Sequence, residues 1–522
     1  MKSRSLLALV LGFLVFVCGT TSRAQQSIQS GTGTSVDEIR NDLDRLDPAP
    51  HIKKLASIRS RFTGYPGCEV ARKYIEQQYE DLGLANIQRE PFQIIVPVEK
   101  NASLTVGQTR VPVHCLRPNY ARTPQTPEAG ITGRLIWGGE GQLSDFNGMD
   151  VRGSIVLMKF NVATRWLNAA KLGAKAIIFL EPTNAFRNDA EQKYSSVPTP
   201  IPRYYLPRRN LTDLAAALGA ESGDAADPAA ALSTIRNLSG GQDAVRGMLN
   251  ADMTWEESTV YMLSGEIPGT DPKLGRETMV LHAYYDSTSV VPALAPGAES
   301  ACGIAAQLEV AEFLTHHPPR RTVKMVATPG HFQALAGVRQ YAFEKIYPKR
   351  KRATGSAEEA RSGEPQFFIG LDLSSRNNAL AGFYKGNFYD QYGQQEIRLQ
   401  RIFSDYSDLL LNWADDVVGP AGLVGDFDFQ SGIVPQHGRG WRSLLPDLAA
   451  FDSEVITLSG RPAITLATPG DPRNSVNTPL DTYEGLKPYL ENVRKATLVS
   501  AHVVKQTADV PIIPLNGQLE LG

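Results

Sequence analysis

Five short apolar runs limit the folds open to this chain more than any other feature. They are Val260-Tyr261-Met262-Leu263, Met279-Val280-Leu281, Val323 to Val326, Ile369-Gly370-Leu371-Asp372-Leu373 and Ala463-Ile464-Thr465-Leu466. Each is too short for a helix and mostly apolar throughout, the pattern of a strand buried on both faces. Helical spacing appears between them: Ile304, Leu308, Ala311 and Leu314 fall on one helix face. Strands alternating with helices predict an α/β fold, a mixed and mainly parallel sheet sandwiched by helices. Such sheets bind ligands at the carboxyl ends of their strands. Chemistry is therefore to be sought in the residues that end these runs.

Upstream the texture differs. Ala71, Tyr74, Ile75, Tyr79 and Leu82 follow helical spacing, Gly83 closes that helix, and extended segments follow around Phe92 to Val98. Beyond residue 117 short strands gather around one helix: Leu135-Ile136-Trp137, Gly153 to Met158, helical Trp166 to Leu172, then Ala176 to Leu180. This predicts a separate β-rich module inserted over 117–254, with the Ala-, Gly- and Asp-rich stretch 216–231 as loop. The larger domain is then assembled from 37–116 and 255–505, and 506–522 form a tail.

The first 24 residues have a basic start (Lys2, Arg4), an apolar run from Leu6 to Val17, and a small and polar end at Ser22-Arg23-Ala24. That is the layout of a cleavable secretory signal, with a retained anchor as the alternative. A polar leader follows over 25–36. The expectation is an exported protein, periplasmic or extracellular, with no membrane span after cleavage. Removing the signal leaves 50 basic against 55 acidic residues, a formal charge of −5, which offers nothing to nucleic acid. The basic run Lys349 to Arg352 reads as a solvated loop. Cys68, Cys115 and Cys302 lie too far apart to make a disulfide framework.

Several stretches together carry a resemblance. Thr63-Gly64-Tyr65-Pro66-Gly67 precedes a helix ending Leu82-Gly83-Leu84. Gly265 to Thr270, Tyr285-Asp286-Ser287, Pro296-Gly297-Ala298 and Asp481-Thr482 follow in order, with Gly153 to Leu157 and Leu172 to Ile178 between. Over roughly residues 40 to 500 the chain resembles the M28 family of zinc aminopeptidases and carboxypeptidases, in the subgroup with an inserted protease-associated (PA) domain. The resemblance implies two zinc ions held by a bridging carboxylate, imidazoles and further carboxylates, with a glutamate as general base. Position by position, the residues do not supply this. Tyr284 stands at the first histidine ligand, Ser300 at the bridging aspartate, His331 at the base, Phe332 at the glutamate ligand and Asn477 at the last histidine. Only Asp372 keeps a ligand type. The resemblance thus implies a pseudopeptidase, with no cofactor expected.

Three roles stay open for such a pocket. His282 shares a strand face with Tyr284, and with His331, Asp286, Asp372 and Glu299 it offers one rearranged metal site. Ser300, His331 and either Asp286 or Asp372 make the residue set of a nucleophilic hydrolase, with Cys302 as an alternative thiol. The third role is binding. The cleft keeps its shape and apolar walls, so that Tyr284, Asp286, Glu299, Cys302, Phe332 and Asn477 would meet a peptide or protein partner. The aromatic stretch from Gly382 to Tyr389 either lines this site or packs the core. Binding is the leading expectation, and an active hydrolase, metal-based or using Ser300 and His331, is the alternative.

Overall fold

The computed structural model describes residues 36–194, 197–220, 227–239, 244–347, 365–387, 393–419, 422–435, 440–445 and 449–517. The expected signal, the basic run Lys349 to Arg352, and Phe388 and Tyr389 lie outside the described residues.

The first seven strands are β1 (Ala85–Val106), β2 (Thr109–Pro112), β3 (His114–Cys115), β4 (Ile131–Trp137), β5 (Ile155–Lys159), β6 (Ala176–Leu180) and β7 (Arg203–Leu206). They are followed by β8 (Arg246–Ile267), β9 (Thr278–Tyr284), β10 (Thr322–Thr328), β11 (Pro365–Asp372), β12 (Ala379–Phe383), β13 (Asp428–Ser431) and β14 (Ala463–Ala467). Their spatial order is β13-β12-β14-β11-β9-β10-β8-β4-β5-β6-β7-β3, with β1 on β8 and β2 on β1. The four central strands β10, β9, β11 and β14 run parallel, while β8 and β12 join them antiparallel. This is the mixed, mainly parallel sheet that the apolar runs predict.

Alternation along the strands sorts the two faces. Met279, Leu281 and Ala283 of β9 join Ile369 and Leu371 of β11 in one core, covered by helices Pro66–Asp81, Cys302–His316 and Leu490–Asp509. Val280 and Phe368 belong to the other core, with residues of the helices Ala336–Lys345 and Asp452–Leu458. The same parity carries His282, Tyr284, Thr328 and Asp372 onto this second face, so the candidate site opens there. Phe383 and Tyr384 are buried in the first core, which settles that part of the aromatic stretch as packing.

The hairpin β1–β8 bridges to a second unit. β8 pairs with β10 near its end and with β4 at its start, and β4 to β7 continue as a parallel set. This unit's core already includes Leu104, Val106, Val111, Val113 and Cys115, ahead of residue 117. The stretch 216–231 is not loop throughout, since helices Leu211–Ala217 and Pro228–Arg236 reach into it. Asp227 caps the second helix by accepting from the Ala229 and Ala230 amides, with Pro228 in its first turn. Alanine favours helix once such a cap is present. Cys68, Cys115 and Cys302 are free and buried. No helix among the described residues is long and apolar enough to cross a membrane.

Candidate functional site

The site gathers at the ends of β9, β10, β11 and β14. Asp372 ends β11, and its carboxylate is already engaged. Tyr284, ending β9, donates its hydroxyl to Asp372 Oδ1 at 2.9 Å. Arg473 Nη1 donates to both carboxylate oxygens at 3.0 and 3.1 Å, and Nη2 donates to the Asp372 carbonyl at 3.0 Å. Arg473 comes from the loop after β14, in left-handed backbone at φ 48°, with its amide donating to Asp471 Oδ1 at 2.7 Å. Sequence reasoning missed this arginine. Its only signal was a place in the loop after a sheet strand, four residues before Asn477.

His331 follows β10 and Gly330. Its Nδ1 donates to Asp452 Oδ2 at 2.8 Å, and its ring stacks on Tyr284 with centroids 3.9 Å apart and planes at 17°. Phe332 meets both rings edge-on. Burial disfavours the imidazolium, but the charge and hydrogen bond of Asp452, with the charges of Asp372 and Asp286, outweigh it and raise the His331 pKa. Burial likewise works against ionised Asp452, yet His331 holds its pKa below the ordinary value. Nε2 of His331 makes no hydrogen bond among the described residues. Asp452, which begins the helix after Phe451, is a second residue that sequence reasoning missed.

The set Ser300, His331 and Asp286 or Asp372 is corrected on its acid. Asp286 accepts the His331 backbone amide at 3.3 Å and the Thr63 hydroxyl at 2.8 Å, and Asp372 is held by Tyr284 and Arg473. Burial pushes Asp286 up to about 6. Ser300 lies buried in the turn Glu299–Ala301 and makes no hydrogen bond with His331. Cys302 is a buried thiol against the Ala298 carbonyl at 3.6 Å, with burial and then the Glu299 charge pushing its pKa well above the ordinary value.

His282 also goes elsewhere. Its Nε2 meets Thr328 Oγ1 at 2.9 Å and its ring stacks on Phe368. Burial pushes its pKa down to about 4, so the imidazole is neutral at pH 7. Glu299 accepts the Ser375 amide and hydroxyl at 2.9 and 2.6 Å, and burial with the Asp481 charge pushes it up to about 8. Asn477, left-handed at φ 71°, donates to Tyr194 of the second unit at 2.5 Å and to Glu191 at 3.3 Å. It also accepts from Thr288 at 3.1 Å. The Tyr194 and Glu191 contacts were not anticipated. Among the described residues, no group of three or more His, Cys, Asp or Glu side chains is placed to hold a metal ion.

Residues 262–409 match the model of Peptidase family M28. That span includes Tyr284, Ser300, His331, Phe332 and Asp372 but neither Asp452, Arg473 nor Asn477. No curated protein matches the chain. Among solved structures, the zinc aminopeptidase of Bacillus subtilis is similar at 17% identity and TM-score 0.50, covering 89% of this chain and 95% of that one. A peptidase M28 precursor from Shewanella amazonensis SB2B is similar at 14% identity and TM-score 0.50, covering 92% and 97%. At these identities the likeness is one of fold. The likeness to Peptidase family M28 in sequence thus rests on residues 262–409.

Proposed function

We propose that this chain is an exported M28-like protein that binds a peptide or protein segment at its strand-end cleft and does not cleave it by two-zinc chemistry. One observation carries the reading: the only retained ligand-type residue, Asp372, is bound through both oxygens by Arg473. Nη1 spans both carboxylate oxygens as a charge-assisted donor while Nη2 anchors on the backbone carbonyl, so the chain's own cation sits where the carboxylate would otherwise face a metal. The other donors fit zinc no better. Burial, then the Asp372 charge, pushes the Tyr284 phenol well above its ordinary pKa, so it stays protonated. Phe332 has no donor and Ser300 no charge, and His331 offers one nitrogen, Nε2, with Nδ1 held by Asp452. The residues present do not fit the family's zinc pair.

The unit around β4 to β7 is read as a PA domain over 117–254, lying against the cleft through Tyr194 and Asn477, with the signal over 1–24 for export. The test is elemental analysis of the purified protein with an aminopeptidase assay. Substoichiometric zinc and no metal-dependent cleavage are expected, whereas near-stoichiometric zinc with cleavage abolished by a chelator overturns the reading.

A second reading is favoured by the His331–Asp452 pair. Asp452 fixes Nδ1 as the protonated nitrogen and leaves Nε2 as a base, the arrangement that orients a histidine in nucleophilic hydrolases. Ester hydrolysis that resists chelation and disappears in His331→Ala and Ser300→Ala would support it. Survival of activity in both variants would sink it.

A further inference from the structure

We propose that the groove between the helix Trp166–Lys171 and the segment 197–202 docks an extended acidic peptide segment of a partner protein. The site lies in the second unit and does not depend on the reading of the cleft. The groove has a volume of about 630 Å³, with Leu167, Ala170 and Ala174 on one side and Val197, Ile201 and Pro202 on the other. Its remaining lining includes Arg122, Lys171 and Lys175, and no acidic residue lines it.

The segment wall is extended and carries proline at 198, 200 and 202. Those positions have no N–H to donate. The carbonyls of Val197 and Thr199 both accept from Asn119 Nδ2, at 2.6 and 2.8 Å. The Pro202 carbonyl accepts the Ile177 amide at 3.0 Å. With three prolines the wall has few N–H groups to donate, which works against addition of a peptide as a further strand. Recognition falls to apolar side chains on the walls and to the cations on the rim.

Those cations are exposed and uncompensated. Arg122, Lys171 and Lys175 are all exposed, and none forms an ion pair with an acid among the described residues. Lys175 Nζ reaches only the Thr132 carbonyl, at 3.2 Å. Arg122 is held at the rim by reciprocal backbone bonds with Asn119, at 3.0 and 3.2 Å, so one asparagine fixes both the wall and a rim cation. The whole chain has a formal charge of −2, yet three unpaired cations and no acid line this apolar groove. Charge complementarity selects a partner bearing carboxylates beside apolar side chains.

The probe is a fluorescein-labelled peptide, Gly-Glu-Leu-Glu-Val-Glu-Leu-Gly, followed by fluorescence anisotropy with the full chain. Saturable binding is expected, weakened at least tenfold when glutamine replaces each glutamate. A comparable loss is expected in Lys171→Glu/Lys175→Glu, and an intermediate one in Lys171→Gln/Lys175→Gln. Circular dichroism checks the fold of these surface variants. Raising salt from 50 mM to 0.5 M should weaken binding several-fold, because screening shortens the reach of exposed charges. Phe332→Ala, in the cleft, should leave this binding unchanged. No saturable binding up to 1 mM, equal binding of the glutamine peptide, or loss in Phe332→Ala but not in the lysine variants overturns the proposal. The last outcome would move the peptide to the cleft.

Discussion

Arg473→Met tests whether the cleft's positive charge is supplied by the chain itself. Methionine keeps much of the side chain's length and removes the guanidinium, leaving Asp372, 4% exposed, with Tyr284 alone. Removing one partner of a buried ion pair typically costs about 3–5 kcal/mol, because the other charge is left uncompensated. The Arg473 side chain is 12% exposed, so the expected cost lies at the lower end, about 3 kcal/mol at pH 8. Urea denaturation followed by tryptophan fluorescence at pH 8 reads that cost. Adding Asp372→Asn removes the orphaned charge, so the double variant should recover to within about 1 kcal/mol of the parent, a clear departure from additivity. A cost below about 1 kcal/mol for Arg473→Met at pH 8, or strict additivity with Asp372→Asn, would refute the account of the site.

Three further outcomes follow from the same geometry. His282 is pushed down to about 4 by burial, so its folded pKa lies below the unfolded value near 6.5. Stability from this group is present at pH 7.5 and falls by about 2 kcal/mol on acidification to pH 5; His282→Gln should flatten that part of the profile, and an unchanged profile would count against a buried neutral imidazole. A Cβ at Gly303, at the start of the helix Cys302–His316, would lie 2.6 Å from the Leu371 carbonyl oxygen. Gly303→Ala should cost about 1–3 kcal/mol through overpacking, read by the urea midpoint. Tyr194→Phe removes the hydroxyl that Asn477 reaches and should cost about 1 kcal/mol, with faster limited proteolysis of the second unit; no change in either would show that this contact does not tie the units together.

The sheet was legible because its central strands are apolar throughout, and period-two alternation places His282 and Tyr284 on one face of their strand. What fills the site was not legible. Arg473 meets Asp372 across 101 residues and Asp452 meets His331 across 121. Spacing along the chain says nothing about such approaches, even for Arg473, four residues before Asn477. The expectation that Asp286 or Asp372 would orient His331 failed for a physical reason, since Thr63 and Arg473 already occupy those carboxylates. His282 meets Thr328 of the neighbouring strand β10, because shared strand parity fixes a face but not a partner. The alanines around residue 230 read as loop until the Asp227 cap is recognised.

On the proposed reading, the missing zinc ligands and the Arg473 cation are two halves of one arrangement. Asp286, Glu299, Asp372, Asp452, Asp471 and Asp481 are all buried, and buried carboxylates must be paired or protonated. Asp372 has Arg473 and Asp452 has His331. Asp471 accepts the amides of Arg376 and Arg473. Burial, with the Asp481 charge, pushes the Glu299 pKa up, and Arg376 Nε stands 3.7 Å from its carboxyl. Guanidinium groups and an imidazole thus offset charge that bound dications would otherwise offset. Reinstating ligands alone should therefore not restore metal binding. The triple variant Tyr284→His/Ser300→Asp/Phe332→Glu adds carboxylates to a pocket whose cation position is taken. It should bind zinc weakly in a competition titration with a chromophoric chelator. Adding Arg473→Ala frees both oxygens of Asp372 and removes the competing charge, and should tighten zinc at least tenfold over the triple variant. Equal affinity with and without Arg473 would mean that the guanidinium does not hold the place of a metal.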